Sequence, residues 1–344
     1  MTAIKIGTRA SALALAQTGM IADRVRALTG REVELVEIST PGDRSSAPVR
    51  ELGVGVFTSA LRDALAAKEI DVAVHSYKDL PTTPYAPLGR PESDSSVRQL
   101  AGRTALPSPA DHHPVLTIAA VPLREDPRDA LVARDGMTLL DLPEGARIGT
   151  GALRRVSQIN ALGRGFECVP IRGNVDTRIN RVLGESADLD AVVLARAGIS
   201  RLGRLAVVTE TLDPMFVLPA PAQGALAVEC RTADTTLTAE LAELDDRETR
   251  AAVSAERAML ATLEAGCSAP VAALCDIADA GDGEYELYLR GAVIQLDGRH
   301  AVRLSDTGTL TASDDADEVG AAVGRRLAAT LLAEGAESLL ESVR

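Results

Sequence analysis

A cysteine, a lysine–aspartate pair and a crowd of arginines are the residues of this chain best suited to chemistry. Cys267 sits in the run Leu263-Glu264-Ala265-Gly266-Cys267-Ser268-Ala269-Pro270. Residues 249–263 before it place Ala252, Ala255, Met259 and Leu263 at helical spacing, and Gly266 is expected to stop that helix. A thiol just past a helix C-terminus meets the negative end of the macrodipole, which raises its pKa, so Cys267 is not built as a protease-type nucleophile. Its plain reading is a small residue in a tight turn. Lys78-Asp79 lies in His75-Ser76-Tyr77-Lys78-Asp79-Leu80-Pro81, at the carboxyl end of an apolar strand. An aspartate in such a pre-proline turn is either an Asx turn or cap, or a fixed carboxylate facing a ligand. Residues 154–204 carry nine arginines against five acids. In a chain without a nucleic-acid motif, that balance suits a small polyanion, because guanidinium pairs with carboxylate or phosphate bidentately; a solvated basic face is the alternative.

These residues need a frame. Ile4-Lys5-Ile6 reads as a strand, Gly7-Thr8-Arg9-Ala10 as a turn, and Ser11 as the start of a helix to about Leu28. The free N–H groups of that helix make an anion site, with Arg9 and Ser11 on its rim. The device recurs at Arg147-Ile148-Gly149-Thr150-Gly151-Ala152-Leu153-Arg154-Arg155, with a helix to about Leu162. Asp71-Val72-Ala73-Val74 and Asp190-Ala191-Val192-Val193 are matching strands, one per half. The fold class expected is α/β: two similar lobes around a cleft plus a small C-terminal α+β domain. Strands are also expected over residues 33–38, 117–121 and 228–231, and a helix over 59–67. Residues 43–58 read as a loop near the cleft, and Arg124-Glu125-Asp126-Pro127-Arg128-Asp129 as a hinge. Further on, residues 284–291 and 292–304 read as strands, the latter turned at Asp297-Gly298, with an amphipathic helix over 316–332 packed on them. The domain limits expected are 1–123 with 224–244, then 124–223, then 245–344, with residues 86–113 an inserted surface excursion.

Composition narrows the classes. A chain of 344 residues, 46% hydrophobic, can bury more than one core. The net charge of −13 opposes general nucleic-acid binding, and all of it lies beyond residue 231, where 22 acids meet 9 bases. Four cysteines without paired spacing fit a reducing compartment, and residues 11–16 are too short an apolar run for a signal peptide. No stretch is long and apolar enough to span a membrane. His112-His113 lacks partners at metal-ligand spacing, and Gly53-x-Gly55 lacks the context of a dinucleotide fingerprint.

The octet around Cys267 follows L-E-x-G-C-x-x-P and resembles the cofactor-attachment loop of the porphobilinogen deaminase (hydroxymethylbilane synthase) family. His75 to Pro81 resembles that family's H-S-x-K-D-[LV]-P. Arg172-Gly173-Asn174-Val175-Asp176-Thr177-Arg178, Ala197-Gly198-Ile199-Ser200-Arg201-Leu202 and Leu218-Pro219-Ala220-Pro221-Ala222-Gln223-Gly224-Ala225 match three more of its motifs. With the Gly-Thr turns, they stand in family order from residue 7 to residue 270. The resemblance implies periplasmic-binding-protein-like lobes and a cytoplasmic enzyme of tetrapyrrole (haem) biosynthesis that joins four porphobilinogens head to tail with loss of ammonia. Hydrolysis then releases hydroxymethylbilane. It implies a dipyrromethane cofactor, made from the same substrate and linked to Cys267 by a thioether, and no metal.

By the same resemblance, Asp79 is the catalytic carboxylate, assisting ammonia loss and stabilising positive charge on the azafulvene and on the pyrrole nitrogens. Cys267, Ser76, Lys78, Asp79, Thr150, Arg154, Arg155 and Gly173 hold the cofactor. Arg9, Ser11, Arg172, Arg178, Arg201, Gln223 and Gly224 serve the substrate, whose acetate and propionate call for cations. A trapped electrophile of the azafulvene kind needs no activated thiolate at Cys267. Porphobilinogen is the expected partner, with no nucleic acid or membrane, and the chain is expected to act as a monomer. Two positions depart from the family pattern: Ala152, where many members carry a hydroxyl, and Val54, where many carry lysine. A non-enzymatic two-lobed anion-binding protein would share the fold logic but would need neither Cys267 in its octet nor the Lys78-Asp79 pair. An inactive relative is the other alternative, resting on Ala152 and the 86–113 insertion.

Overall fold

The first lobe opens with strand β1 (Ile4–Thr8), helix α1 (Ala12–Thr29) and strand β2 (Val33–Glu37). The computed structural model describes residues 3–39, 58–83, 85, 115–265 and 269–341. Gly7 and Thr8 belong to β1, so the turn before α1 is shorter than the sequence suggests. Ser11 caps α1, its Oγ accepting from the Ala14 N–H at 3.3 Å, and Gly30 closes it in a left-handed conformation. Helix α2 (Ser59–Ala66), strand β3 (Val72–Ser76), strand β4 (Leu116–Ala120) and strand β10 (Leu226–Arg231) complete this lobe's sheet, in the order β2-β1-β3-β10-β4. Its two faces are covered by Ile21 and Val25 on one side and by Leu61, Leu65 and Ile70 on the other.

The second lobe repeats the plan. Strands β5 (Asp129–Ala133), β6 (Arg147–Gly149), β7 (Glu167–Val169), β8 (Ala191–Ala195) and β9 (Glu210–Thr211) form a sheet in the order β7-β6-β8-β5-β9. Helices α3 (Leu153–Ala161), α4 (Val175–Leu183) and α5 (Arg196–Arg201) belong to it. In each sheet the fourth strand follows a crossover from the other lobe and pairs antiparallel to the third. The likeness extends to packing. A Cβ on Gly7 would lie 2.4 Å from Ile70 Cδ1, and one on Gly149 would lie 2.6 Å from Leu189 Cδ1. Each glycine admits the apolar side chain that precedes the third strand of its own sheet, so the glycines of the Gly-Thr pairs are packing devices at the strand ends.

The C-terminal unit joins helix α7 (Arg247–Thr262) and helix α8 (Ala316–Ala333) to an antiparallel sheet of β11 (Val271–Gly281), β12 (Glu284–Ile294) and β13 (Ala301–Leu310). Two expectations need correction here. The helix before Cys267 ends at Thr262, with Glu264 at φ 49, rather than at Gly266, which lies outside the described residues with Cys267 and Ser268. No strand break falls at residues 291/292: β12 runs unbroken to Ile294, and the Asp297-Gly298 turn leads to a separate β13. β11 escaped the sequence reading, as did helix α6 (Thr235–Ala242) and helix α9 (Ala336–Glu341).

The missing alternation has a physical cause. One face of this sheet packs under α7 and α8 through Met259, Leu327 and Leu331. At one end the other face is also buried, where Ala272, Leu274, Ala292 and Ile294 meet Leu218. A strand covered on both faces loses the period of two.

Candidate functional site

The two crossovers run side by side below the cleft. Arg124 Nε donates to the Gln223 carbonyl at 2.7 Å, and the Glu125 N–H donates to the Gly224 carbonyl at 3.3 Å. Gly224 takes φ +89, and a Cβ there would lie 2.4 Å from the Glu125 carbonyl oxygen, so only glycine permits this approach. From the crossovers, residues 75–81 of one lobe and 150–178 of the other converge.

The Lys78–Asp79 pair lies on a single 3-10 turn, Tyr77–Asp79, at the carboxyl end of β3. The next residue, Leu80, is held extended before Pro81. Asp79 is exposed and near enough to Lys78 and Arg178 to act on both electrostatically, while Lys78 is partly buried and donates from Nζ to Gln223 Oε1 at 3.2 Å. Burial pulls the Lys78 ammonium down to a pKa of about 8; Asp79 opposes this, and nearby Arg155 adds to it. Ser76 exchanges two hydrogen bonds with Gln17 of α1, at 3.0 and 3.1 Å, which ties the end of β3 to that helix.

The second lobe brings the arginines. Arg154 and Arg155 stand at the start of α3, both buried, and both pair with Asp129 at 2.8 Å. Arg154 Nη1 also donates to the Leu218 carbonyl, and Arg155 Nη1 to the Val193 carbonyl at 2.8 Å. Burial pushes the pKa of Asp129 up, but the two guanidiniums together outweigh it and hold the carboxyl well below the usual carboxylate range. Gln223 Nε2 adds a further bond to Asp129, at 2.8 Å. Arg178 on α4 donates from Nε to the Gly173 carbonyl at 2.8 Å. Burial, together with the neighbouring charges of Arg155 and Arg172, draws its guanidinium below its ordinary pKa, against the pull of Asp79. Lys78, Asp79, Arg154, Arg155, Arg172, Arg178 and Gln223 therefore share one electrostatic environment.

The remaining candidates form its border. Thr150 is buried, and its Oγ1 accepts from the Ala152 N–H at 3.3 Å. Gly173 takes φ +101. Arg201 Nη2 donates to the Gly224 carbonyl at 2.6 Å, anchoring the second crossover. Arg9 and Ser11 are half-buried at the mouth of α1. Cys267 and Val54 lie outside the described residues.

The sequence reading missed Asp129. Its residue type was in view within the stretch read as a hinge, but nothing local pairs it with Arg154, Arg155 and Gln223. No local signal could have found it.

The donor set suits a ligand with several carboxylates. Among the described residues, Arg172 Nη1, Arg155 Nε and Arg201 Nε are buried without a hydrogen-bond partner. Buried guanidinium N–H groups left unpaired are costly, and an arriving carboxylate would satisfy them. A dipyrromethane carries such carboxylates, so the residues present fit the group. Among the described cysteines, burial raises the pKa of Cys168 to about 11, and it raises those of Cys230 and Cys275 as well. They are structural thiols. Among the described residues no helix is long and apolar enough to cross a membrane.

Two family models match the chain. That of "Porphobilinogen deaminase, dipyromethane cofactor binding domain" covers residues 4–89 and 107–239, and that of "Porphobilinogen deaminase, C-terminal domain" covers residues 250–329. The unmatched residues 90–106 lie within the stretch 86–113. The chain is 52% identical over 346 residues to a porphobilinogen deaminase of Nocardia farcinica, across 99% of this chain and 89% of that one. It is also 52% identical over 345 residues to one from Mycobacterium tuberculosis, across 99% of each. Among solved structures, an ABC transporter periplasmic substrate-binding protein from Coxiella burnetii overlays 70% of this chain and 91% of its own, with a TM-score of 0.39 at 13% identity.

Proposed function

The chain belongs to the porphobilinogen deaminase family, and from that premise we propose that its cleft joins four porphobilinogens head to tail, with loss of ammonia, and releases hydroxymethylbilane by hydrolysis. The observation that carries this reading is the cation cluster of Lys78, Arg155, Arg172 and Arg178 beside the exposed carboxylate of Asp79, the nearby Asp129 being buried and already paired with Arg154 and Arg155. A growing chain of pyrroles bears an acetate and a propionate on each ring, so its site must be cationic along its length and anionic at one point only.

Each residue then has a task. Arg172 and Arg178 take substrate carboxylates, with Arg9, Ser11, Arg201, Gln223 and Gly224 along the border. Asp129 orients Arg154 and Arg155 toward the cofactor and leaves Arg155 Nε for a ligand oxygen. Lys78, Ser76, Thr150 and Gly173 complete that side. Asp79 is the fixed anion toward the positive charge that develops on the substrate's pyrrole as ammonia leaves. In a site shielded from water such a charge contributes a few kcal/mol, about 10²- to 10³-fold in rate. When bound, the dipyrromethane supplies the pyrrole end to which substrate is joined, and Cys267 is its attachment point. The protein works in this reading as a cytoplasmic monomer without nucleic acid or metal; the expected insertion at residues 86–113 lies outside the described residues.

The test is the intact mass of the purified protein beside that of its Cys267→Ser variant, with Ehrlich's reagent to detect linked pyrroles. An added mass matching a dipyrromethane in the wild type, absent from the variant, is expected. A wild type that stays unmodified after incubation with porphobilinogen would overturn the reading in favour of a non-enzymatic anion-binding protein or an inactive relative.

A further inference from the structure

Helix α7, whose sequence leads on toward Cys267, also reaches the Lys78–Asp79 turn. Arg257 Nη1 donates to the Tyr77 carbonyl at 3.1 Å and to the Leu80 carbonyl at 2.8 Å, and Nη2 donates to the Pro81 carbonyl at 2.9 Å. The same guanidinium lies over the Tyr77 ring, 4.3 Å from its centroid. These three acceptors bracket Lys78 and Asp79 on both sides. The backbone of the turn is further held by the Tyr77 N–H donating to the Ala225 carbonyl at 3.0 Å and the Leu80 N–H donating to the Tyr77 carbonyl at 3.2 Å. A lone 3-10 turn is a weak platform for a side chain that must face a developing charge. The planar guanidinium fork, stacked on Tyr77, removes the freedom the turn would otherwise keep.

We propose that Arg257 is the positioning residue for Asp79: by clamping the carbonyls of Tyr77, Leu80 and Pro81 from α7, it fixes the direction in which the Asp79 carboxylate enters the cleft. The inference rests on the reading of Asp79 as the catalytic carboxylate. A misplacement of about 1 Å costs on the order of 10²-fold in rate, whereas substrate carboxylates are held mainly by other residues. The loss therefore falls on kcat and not on KM.

The test uses the holoenzyme with Arg257→Gln and Arg257→Lys, cofactor content being checked with Ehrlich's reagent. Arg257→Gln lowers kcat by at least about tenfold and changes KM by less than about threefold. Amide hydrogen exchange at residues 77–80 speeds up by at least about tenfold in the same variant. Arg257→Lys keeps the charge and loses the fork, giving a smaller loss in the same two readouts. If Arg257→Gln does not accumulate as folded protein, the lysine variant decides. In an Asp79→Asn background, Arg257→Gln lowers the residual rate by less than about twofold, since both changes act through one group. Wild-type kcat in both Arg257 variants, or a fully additive loss beside Asp79→Asn, overturns the proposal. Undiminished turnover in Asp79→Asn alone would instead overturn the reading of Asp79.

Discussion

Gln223 Nε2 donates to Asp129 Oδ1 at 2.8 Å, which joins the second crossover to the first strand of the second lobe at the floor of the cleft. From that anchored position Gln223 Oε1 accepts from Lys78 Nζ at 3.2 Å, and Asp129 balances two buried guanidiniums. One carboxylate, fully shielded from water, thus sets the orientation of groups from both lobes.

Replacing Asp129 by Asn leaves Arg154 and Arg155 buried side by side without their counter-charge. A broken buried ion pair typically costs 3–5 kcal/mol, so Asp129→Asn should lower stability by about that much. Denaturant unfolding measures it, and an unchanged midpoint would mean that another anion already balances the pair.

Lys78 gives the site a pH dependence. With its pKa lowered to about 8 by burial, the side chain is charged below that pH and neutral above it. Carboxylate binding is therefore strongest below about pH 8 and weakens as pH rises through it, so kcat/KM should fall on the alkaline side. Lys78→Arg carries a charge that does not titrate in this range and should abolish that limb. Profiles of kcat/KM from pH 6 to 10 for the two proteins decide; coincident limbs would remove Lys78 from ligand binding.

Asp79 is exposed and ends a short turn, so Asp79→Asn should change stability by no more than roughly 0.5 kcal/mol. Turnover should nevertheless drop about 10²- to 10³-fold, because the fixed anion is gone while the carboxylate-binding cations remain. Steady-state assay with a thermal melt separates the two effects, and unaltered product formation would discharge Asp79 from its role.

Ala152 occupies the N-cap of α3, with φ −104 and ψ 118, and offers no capping side chain. A serine there can accept from a first-turn N–H and still donate its own hydrogen to a ligand carboxylate. Ala152→Ser should raise stability by about 1 kcal/mol and modestly lower KM. A melt without gain would show that the Thr150–Ala152 turn keeps the new hydroxyl out of capping geometry, and an unchanged or raised KM would deny it the ligand.

Much of this frame was legible because its signals are local. Ser11 before an apolar helical run marks the start of α1, Asp297-Gly298 marks a hairpin, and both Gly-Thr pairs mark the ends of short apolar strands. One unread strand, β11, is an element whose periodicity the tertiary structure erases. β11 is buried on one face by the helices and at one end by Leu218, so its residues do not alternate. The end of α7 was misplaced for a different reason: glycine is the usual left-handed residue, but Glu264 adopts that conformation two positions earlier.

By itself the sequence determined the two-lobed α/β plan, the family motifs and the residue types of the site, since each of these is written in neighbouring positions. Only the tertiary structure decided which charges meet. Asp129 is 25 residues from Arg154 and 94 from Gln223, and Arg257 is 180 from Tyr77. Pairing between charges depends on distance and burial in space, and no period or spacing along the chain encodes either.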